Sequence, residues 1–280
     1  LLRTDLLEVV NAVRQRVPKV SIITDGAHLD APLATKLSDL GVHMVQLTLL
    51  AGGADVHDSL RGAGSFADAT RAIATAAAAG LKVSASMVVT RQNYREASKV
   101  AELCFALGAQ GMALSRFCSV PANHPAFERL MPSAGQVRYA AEAAAEMCES
   151  LGLPLAAALT IPRCVWGRPE HPPLRVGVCA LVGSGGTLTL SPTGAVRSCS
   201  LSTRTHGTLG DEPWPTIAER LWVEELEPLR RSLPVVCEDC TFARQCLGGC
   251  RLSTRPHAAH WSAIDPLAPV THEPADSGAT

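Results

Sequence analysis

Aromatic side chains are scarce: Phe, Trp and Tyr make up 4% of the chain. Any core is therefore expected to be built from Ala, Leu and Val rather than from rings. An excess of one charge is missing as well. Twenty-five Lys and Arg stand against twenty-six Asp and Glu, a net charge of −1, so no global basic field favours nucleic acid or an anionic membrane. No apolar run approaches transmembrane length. No secretory leader is visible, because Leu1-Leu2-Arg3-Thr4-Asp5 reads as the start of an amphipathic helix. Ten cysteines in 280 residues are too few for a disulfide-dense secreted scaffold. These absences point to a soluble protein of a reducing cytoplasm, with neither nucleic acid nor membrane as partner. The chain begins with Leu rather than Met, which reads as a fragment.

What is present falls into two halves. Over the first 160 residues helical and strand patterns alternate. Leu6, Leu7, Val10 and Val13 share a helical face that Thr4 or Asp5 can cap, and Val20–Thr24 follows as a short strand. Leu33, Leu37 and Leu40 mark a second helix stopped by Gly41, and the apolar run Val42–Leu50 a second strand. Helices over Phe66–Ala79, Tyr94–Leu107 and Gln136–Leu151 alternate with strands over Val83–Val89, Gly111–Arg116 and Leu153–Thr160. Such alternation predicts an α/β fold with a parallel sheet. Its even spacing favours a partial (β/α) TIM-like barrel over a doubly wound sheet. In a barrel, polar residues at the carboxyl ends of strands meet the substrate. Thr24-Asp25, Thr48, Thr90-Arg91 and Ser115-Arg116 stand at such ends, and Arg61 lies on the loop after the second strand. Taken singly, each is as well explained as a turn or cap. His124, on the long loop after Arg116, reads as solvated.

From Ile161 onward the alternation stops. Residues 161–178, with Pro162, Pro169, Pro172 and Pro173, read as a connector, and 269–280 as a disordered tail. Between them a hairpin pattern runs from Thr187 to Cys199, and Trp214–Leu233 reads as a helix. The helix leads into Cys237-Glu-Asp-Cys240, Cys246 and Cys250, spaced C-x2-C-x5-C-x3-C. Cysteines that only pack have no reason to recur at loop spacing, whereas thiolates closing on a metal do. Zinc and an iron–sulfur cluster both fit one such run. Six of the ten cysteines follow residue 178, in two groups, which is more than one zinc site uses.

The pattern C-x14-G-x4-C through Cys179, Gly194 and Cys199, followed by C-x2-C-x5-C-x3-C, resembles the SPASM extension of radical S-adenosylmethionine enzymes. Upstream, Ile22-Ile-Thr24-Asp-Gly26, Val45-Gln-Leu-Thr48, His57-Asp58, Arg61-Gly62, Gly64-Ser-Phe66 and Val88-Val-Thr-Arg-Gln-Asn93 are similar to strand ends and loops of their barrel. The likeness covers about residues 1–268. It implies a radical-type partial barrel over 1–160 and an auxiliary iron–sulfur domain over 179–268. It also implies S-adenosylmethionine contacts at Thr48, with Thr24, Arg61 and Arg91 as further candidates. Cys179, Cys199 and Cys250 would serve one auxiliary [4Fe–4S] cluster, and Cys237, Cys240 and Cys246 the other. The reaction implied is hydrogen abstraction by a 5′-deoxyadenosyl radical from a peptide or small-molecule substrate, with flavodoxin or ferredoxin as external reductant.

Four departures qualify the resemblance. The Cys-x3-Cys-x2-Cys motif of the catalytic cluster and the Gly-Gly-Glu-Pro tetrapeptide are absent. Truncation upstream of Leu1 explains that, or else a cluster-free paralogue. On the first reading the chain as given is inactive without the missing motif. The second makes it a non-catalytic iron–sulfur or zinc-binding scaffold. The usual seventh cysteine near an Asp-Pro is missing at Asp265-Pro266, leaving Asp265 as one possible ligand of the second cluster. Leu50 replaces the Asp usual after the Ser-Leu of the fourth strand. The first cluster has three assigned cysteines, and Cys164 reads either as its fourth ligand or as a buried inert thiol. Cys104 and Cys148 read as core, and Cys118 is unassigned.

Overall fold

Five parallel strands organise the first half of the chain in the computed structural model, which describes residues 1–118, 126–166, 174–183, 186–253 and 264–268. They are β1 (Ser21–Thr24), β2 (Met44–Thr48), β3 (Val83–Val89), β4 (Gly111–Arg116) and β5 (Leu155–Ala157), hydrogen-bonded in sequence order. Every pairing is parallel. An order that never reverses belongs to a barrel wall, not to a doubly wound sheet with its switch point. The expected partial (β/α) barrel is the fold observed. His124, Pro169, Pro172, Pro173 and the tail 269–280 lie outside the described residues.

Between the strands run α1 (Leu6–Arg14), α2 (Ala31–Asp39), α3 (Ala54–Arg61), α4 (Ser65–Ala78), α5 (Ala97–Ala106), α6 (Ala126–Leu130) and α7 (Ala134–Leu151). Two details depart from expectation. Asp5 makes no capping bond, because Arg3 takes its carboxylate at 2.7 and 2.8 Å. The stretch carrying Arg61, expected as a loop, is the helix α3. Of its side chains only His57 is buried, so no apolar stripe announced it. The next helix is tied to it by Asp58, whose carboxylate accepts the backbone N–H groups of Gly64 and Phe66, both at 2.8 Å. Those two N–H donors hold the Asp58 carboxyl below the usual range. At the end of β1, Gly26 has φ +91°, and a Cβ there would lie 2.5 Å from the Ala72 Cβ of α4. Only glycine permits that approach.

The sheet buries one face. Val45, Leu47, Val83, Ala85 and Leu114 point towards the helices and are essentially inaccessible. The other face carries Gln46, Thr48, Ser84 and Ser86, in the registers Gln46↔Ser84 and Thr48↔Ser86. The strands thus alternate, although they read as almost wholly apolar runs.

The chain divides into two units. The first comprises residues 1–117, 135–158 and 173–175; the second comprises 118–134, 159–172 and 176–280. The segment expected as a connector is shared between them, since Arg175 bridges to Ala156 beside β5. The second unit holds α6, the hairpin of β6 (Thr189–Leu190) and β7 (Val196–Arg197), and α8 (Trp214–Leu221). A π-helical turn, Trp222–Leu226, then leads into α9 (Glu227–Arg231), and α10 (Ala243–Cys246) follows. The expected helix 214–233 is therefore widened at its middle. Pro228 has no N–H for the Glu224 carbonyl, and the wide turn sits just before it. Among the described residues no helix is long and apolar enough to cross a membrane.

Asn93 secures the carboxyl ends of β2 and β3. Its Oδ1 accepts from the Thr90 N–H and hydroxyl at 2.7 and 2.9 Å, and its Nδ2 donates to the carbonyls of Leu50 and Val88, both at 2.9 Å. The side chain is fully buried. Asn93→Ala leaves these partners buried and unpaired, with an expected loss of about 2–4 kcal/mol in denaturant unfolding. A loss under about 1 kcal/mol would show that the two strand ends are held by something else.

Candidate functional site

All ten cysteines are described and none is disulfide-bonded. Cys104 on α5 and Cys148 on α7 are buried in the first unit, as expected of core. Burial pushes their thiols up to about 12 and about 11.

The second unit gathers seven others into two sets. Cys179, Cys199 and Cys250 form the first. Burial raises the Cys179 and Cys199 thiols, and Cys250 lies close enough to raise both further. Backbone N–H groups oppose this: those of Leu181, Val182 and Arg251 at Cys179, and those of Leu201 and Ser202 at Cys199. Amide donors converging on sulfur suit a thiolate far better than a thiol, and they are among the levers by which a protein sets a cluster's potential.

Cys237, Cys240 and Cys246 form the second set, and Cys164 stands with them. All four line one cavity, together with Pro162 and Gly248. The expectation put Cys164 with the first set; the structure puts it in the wall of the second. Burial pushes its thiol up to about 12, and neighbouring Cys246 and Cys237 raise it further. No group of three or more His, Cys, Asp or Glu among the described residues is arranged to hold a single metal ion. Four thiols lining one cavity are a donor set that either a thiolate-bound zinc ion or an iron–sulfur centre could use.

Two polar groups support the sets. Arg251 is buried, with its guanidinium donating to the Ser232 carbonyl at 2.8 Å and hydroxyl at 3.2 Å. Burial lowers its pKa, while Cys179 and Cys237 pull the other way, so it is placed to offset thiolate charge from either set. Asp265, fully buried, accepts the N–H groups of Cys250 at 2.8 Å and Leu267 at 3.0 Å. It is not among the residues lining the cavity of the second set, though it lies near enough to raise the Cys164 and Cys237 thiols.

Behind Cys199 lies a network that sequence reading missed. The π-helical turn aims Glu225, 1% exposed, at the residues flanking that cysteine. Its carboxylate accepts from Ser198 at 2.9 Å and Ser202 at 3.1 Å, and pairs with the fully buried His206. The His206 carbonyl and Glu212 in turn hold Arg220. A lone Glu within a helical pattern gave no sign of this, although the Pro228 that accompanies the wide turn was visible.

In the first unit the four cofactor candidates separate. Thr48 ends β2 on the polar face, opposite Ser86. Thr24 pairs with Leu47 and so falls on the opposite face, its hydroxyl accepting the Gly26 N–H at 3.2 Å. Arg61, exposed at the end of α3, pairs with Asp25 at 3.1 Å. Arg91 is exposed on the turn after β3. Gln46, Ser84 and Arg175, not singled out from sequence, line an open hollow against the polar face with about 1510 Å³ of atom-free space. Arg116, a strand-end residue, is 1% exposed.

Residues 1–104 match the family model of the radical SAM superfamily. A mycofactocin maturase MftC of Mycobacterium ulcerans (strain Agy99) is 33% identical over 135 residues, covering 48% of this chain and 36% of the maturase. A PqqA peptide cyclase of Ruegeria pomeroyi (strain ATCC 700808 / DSM 15171 / DSS-3) is 26% identical over 275 residues, covering 95% of this chain and 70% of the cyclase. The chain thus spans little more than a third of the length of the first of these relatives. In three dimensions it is similar to a histidine-tagged anSMEcpe with bound AdoMet, with a TM-score of 0.68 at 15% identity, over 93% of this chain and 72% of that one. Streptococcus suis SuiB gives a TM-score of 0.64 at 12% identity, over 95% and 70%. At such identities the likeness is one of fold.

The buried network behind Cys199 yields a measurable expectation. Glu225→Ala strands His206, Ser198 and Ser202, at a cost of about 3–5 kcal/mol. Denaturant unfolding should report it, along with faster alkylation of Cys199. A cost near zero would mean that the network is dispensable to the second unit.

Proposed function

We propose that this chain, whose first 104 residues match the radical SAM superfamily, is part of a cytoplasmic peptide-modifying enzyme with a cluster-binding extension. Support comes above all from the two sets of partly buried thiols in the second unit, with amide donors turned towards their sulfurs. The names of the relatives, a maturase and a peptide cyclase, favour a peptide as substrate. Flavodoxin or ferredoxin would serve as reductant.

In that reading the sheet's polar face holds S-adenosylmethionine, with Thr48 and Ser86 offering hydroxyls and the Arg61–Asp25 pair at the rim. Asn93 and Asp58 hold the strand ends and the start of α4 in place, so the ligand meets a rigid rim. Cys179, Cys199 and Cys250 would hold one auxiliary cluster, and the second set the other. The chemistry that S-adenosylmethionine would supply there, given an electron, is hydrogen abstraction from the substrate. Residues 1–280 contain no Cys-x3-Cys-x2-Cys, so the ligands of that catalytic cluster are not in this stretch and no step is assigned to it. A second reading is a non-catalytic iron–sulfur or zinc-binding scaffold.

The protein from its whole reading frame, purified without oxygen, separates the two. With S-adenosylmethionine and dithionite, the enzyme reading expects 5′-deoxyadenosine; loaded auxiliary clusters without that product support the scaffold. Two four-iron clusters would give about eight irons and eight sulfides per chain in the second unit. Cys240→Ala should lower iron by up to about four atoms while leaving the far-ultraviolet circular dichroism unchanged. Unaltered iron would remove Cys240 from the ligand set.

A further inference from the structure

The run C-x2-C-x5-C supplies three thiols to the second set and then diverges, because Cys250 stands with Cys179 and Cys199. Residues 251–280 hold no cysteine. Within residues 1–280 the candidates for a fourth ligand beside this set are Cys164 and Asp265. We propose that Cys164, presented by the 3₁₀ turn Arg163–Trp166, is the fourth ligand of the Cys237–Cys240–Cys246 site, which closes as an all-cysteine centre. The inference rests on the cluster reading above and assigns a ligand that the spacing of the run does not contain.

Three contacts within the second unit fix the turn against the run. The backbone N–H of Arg163 donates to the Cys246 Sγ at 3.4 Å, a direct link from the turn to one of the three sulfurs. Pro162 seats on Gly249: a Cβ at 249 would lie 2.7 Å from the Pro162 Cγ, and φ there is +76°. The Gly-Gly before Cys250 is thus what lets the turn come close. Ile161, Val165 and Trp166 on either side of Cys164 are buried and hold the turn down. Cys164 then faces the same cavity as the other three thiols.

Asp265 is the competing ligand, and its geometry suits another task. Its two carboxylate oxygens accept the N–H groups of Cys250 and Leu267. It also closes on Gly249, where a Cβ would lie 2.6 Å from its Oδ2. That is the work of a latch, which orients the backbone at Cys250 and keeps the Gly-Gly corner tight.

The test uses the full chain, loaded with iron and sulfide without oxygen and compared with Cys164→Ser, Asp265→Asn and Cys104→Ser. Readouts are iron, sulfide and zinc per chain and the electron paramagnetic resonance spectrum after reduction. Cys164→Ser is expected to lose about one to four irons and to change the spectrum of one cluster, while Cys104→Ser matches the wild type. Asp265→Asn is expected to keep its iron. Wild-type iron and spectrum in Cys164→Ser would overturn the assignment, and so would loss of iron in Asp265→Asn alone. Alkylation of the loaded wild type, followed by mass spectrometry, gives the same answer without a variant. Cys164 should be protected together with Cys237, Cys240 and Cys246, and released with them by chelation. Cys164 labelled while those three stay protected overturns it. A wild type that takes up no metal sinks the cluster reading itself, whereas a loaded wild type indifferent to Cys164 sinks only this assignment. Zinc without sulfide, lost in Cys164→Ser, would retain the ligand and refute the cluster.

Discussion

A thiol taken out of water resists ionisation, and that constraint shapes the second unit. Burial raises the thiols of Cys164, Cys179, Cys199 and Cys237. As side chains left to themselves they would stay protonated. The surroundings nevertheless suit negative sulfur: amide N–H groups point at Cys179, Cys199 and Cys246, and the buried Arg251 guanidinium lies near both sets. An environment that opposes thiolates through burial and favours them through dipoles and charge is consistent with metal ligation, where the ion provides the remaining stabilisation and protons leave on binding. The turns after Cys179 and Cys199 and the residue after Cys250 bring such donors to sulfur.

The first unit depends on a different rule, the period-two alternation of a strand. Sequence reading found the strands and nearly all the helices, because apolar runs and glycine stops mark them. It took the strands as apolar on both sides and so missed a polar face. Met44-Val-Gln46-Leu-Thr48 and Ser84-Ala-Ser86 carried that alternation openly. Thr24 and Thr48 looked equivalent as strand-end threonines, yet the register puts them on opposite faces. The helix α3 escaped notice because it buries a single histidine and no apolar stripe. Its motif residues His57 and Asp58 belong to packing and to fixing the next helix, since Ser65 bridges the two side chains at 3.1 Å each.

In the second unit the cysteine spacing was legible and the pairing of distant segments was not. The run Cys237–Cys250 has by itself a spacing that suits thiolate ligation. Nothing local says which distant cysteine joins which set, because that depends on how a 3₁₀ turn packs against a Gly-Gly corner. Cys164 was therefore recognised as a ligand candidate and expected with the first set, whereas it lines a cavity with the second. The Glu225–His206 network was hidden for a similar reason: its members lie 19 residues apart and meet only through a π-helical turn.

The distance between those segments alters what ligation would do for stability. Arg163 and Cys246 are 83 residues apart. Cys237 to Cys246 alone closes a loop of about ten residues, whereas adding Cys164 closes one of about eighty, a difference of about 2 kcal/mol in loop-closure entropy removed from the unfolded chain. A centre confined to the run would brace a short loop. A centre that includes Cys164 ties the turn 163–166 to the run and encloses the hairpin, α8 and α9 between its ligands. Its binding energy then acts on the second unit as a whole, so that the metal becomes part of the fold of the domain it serves.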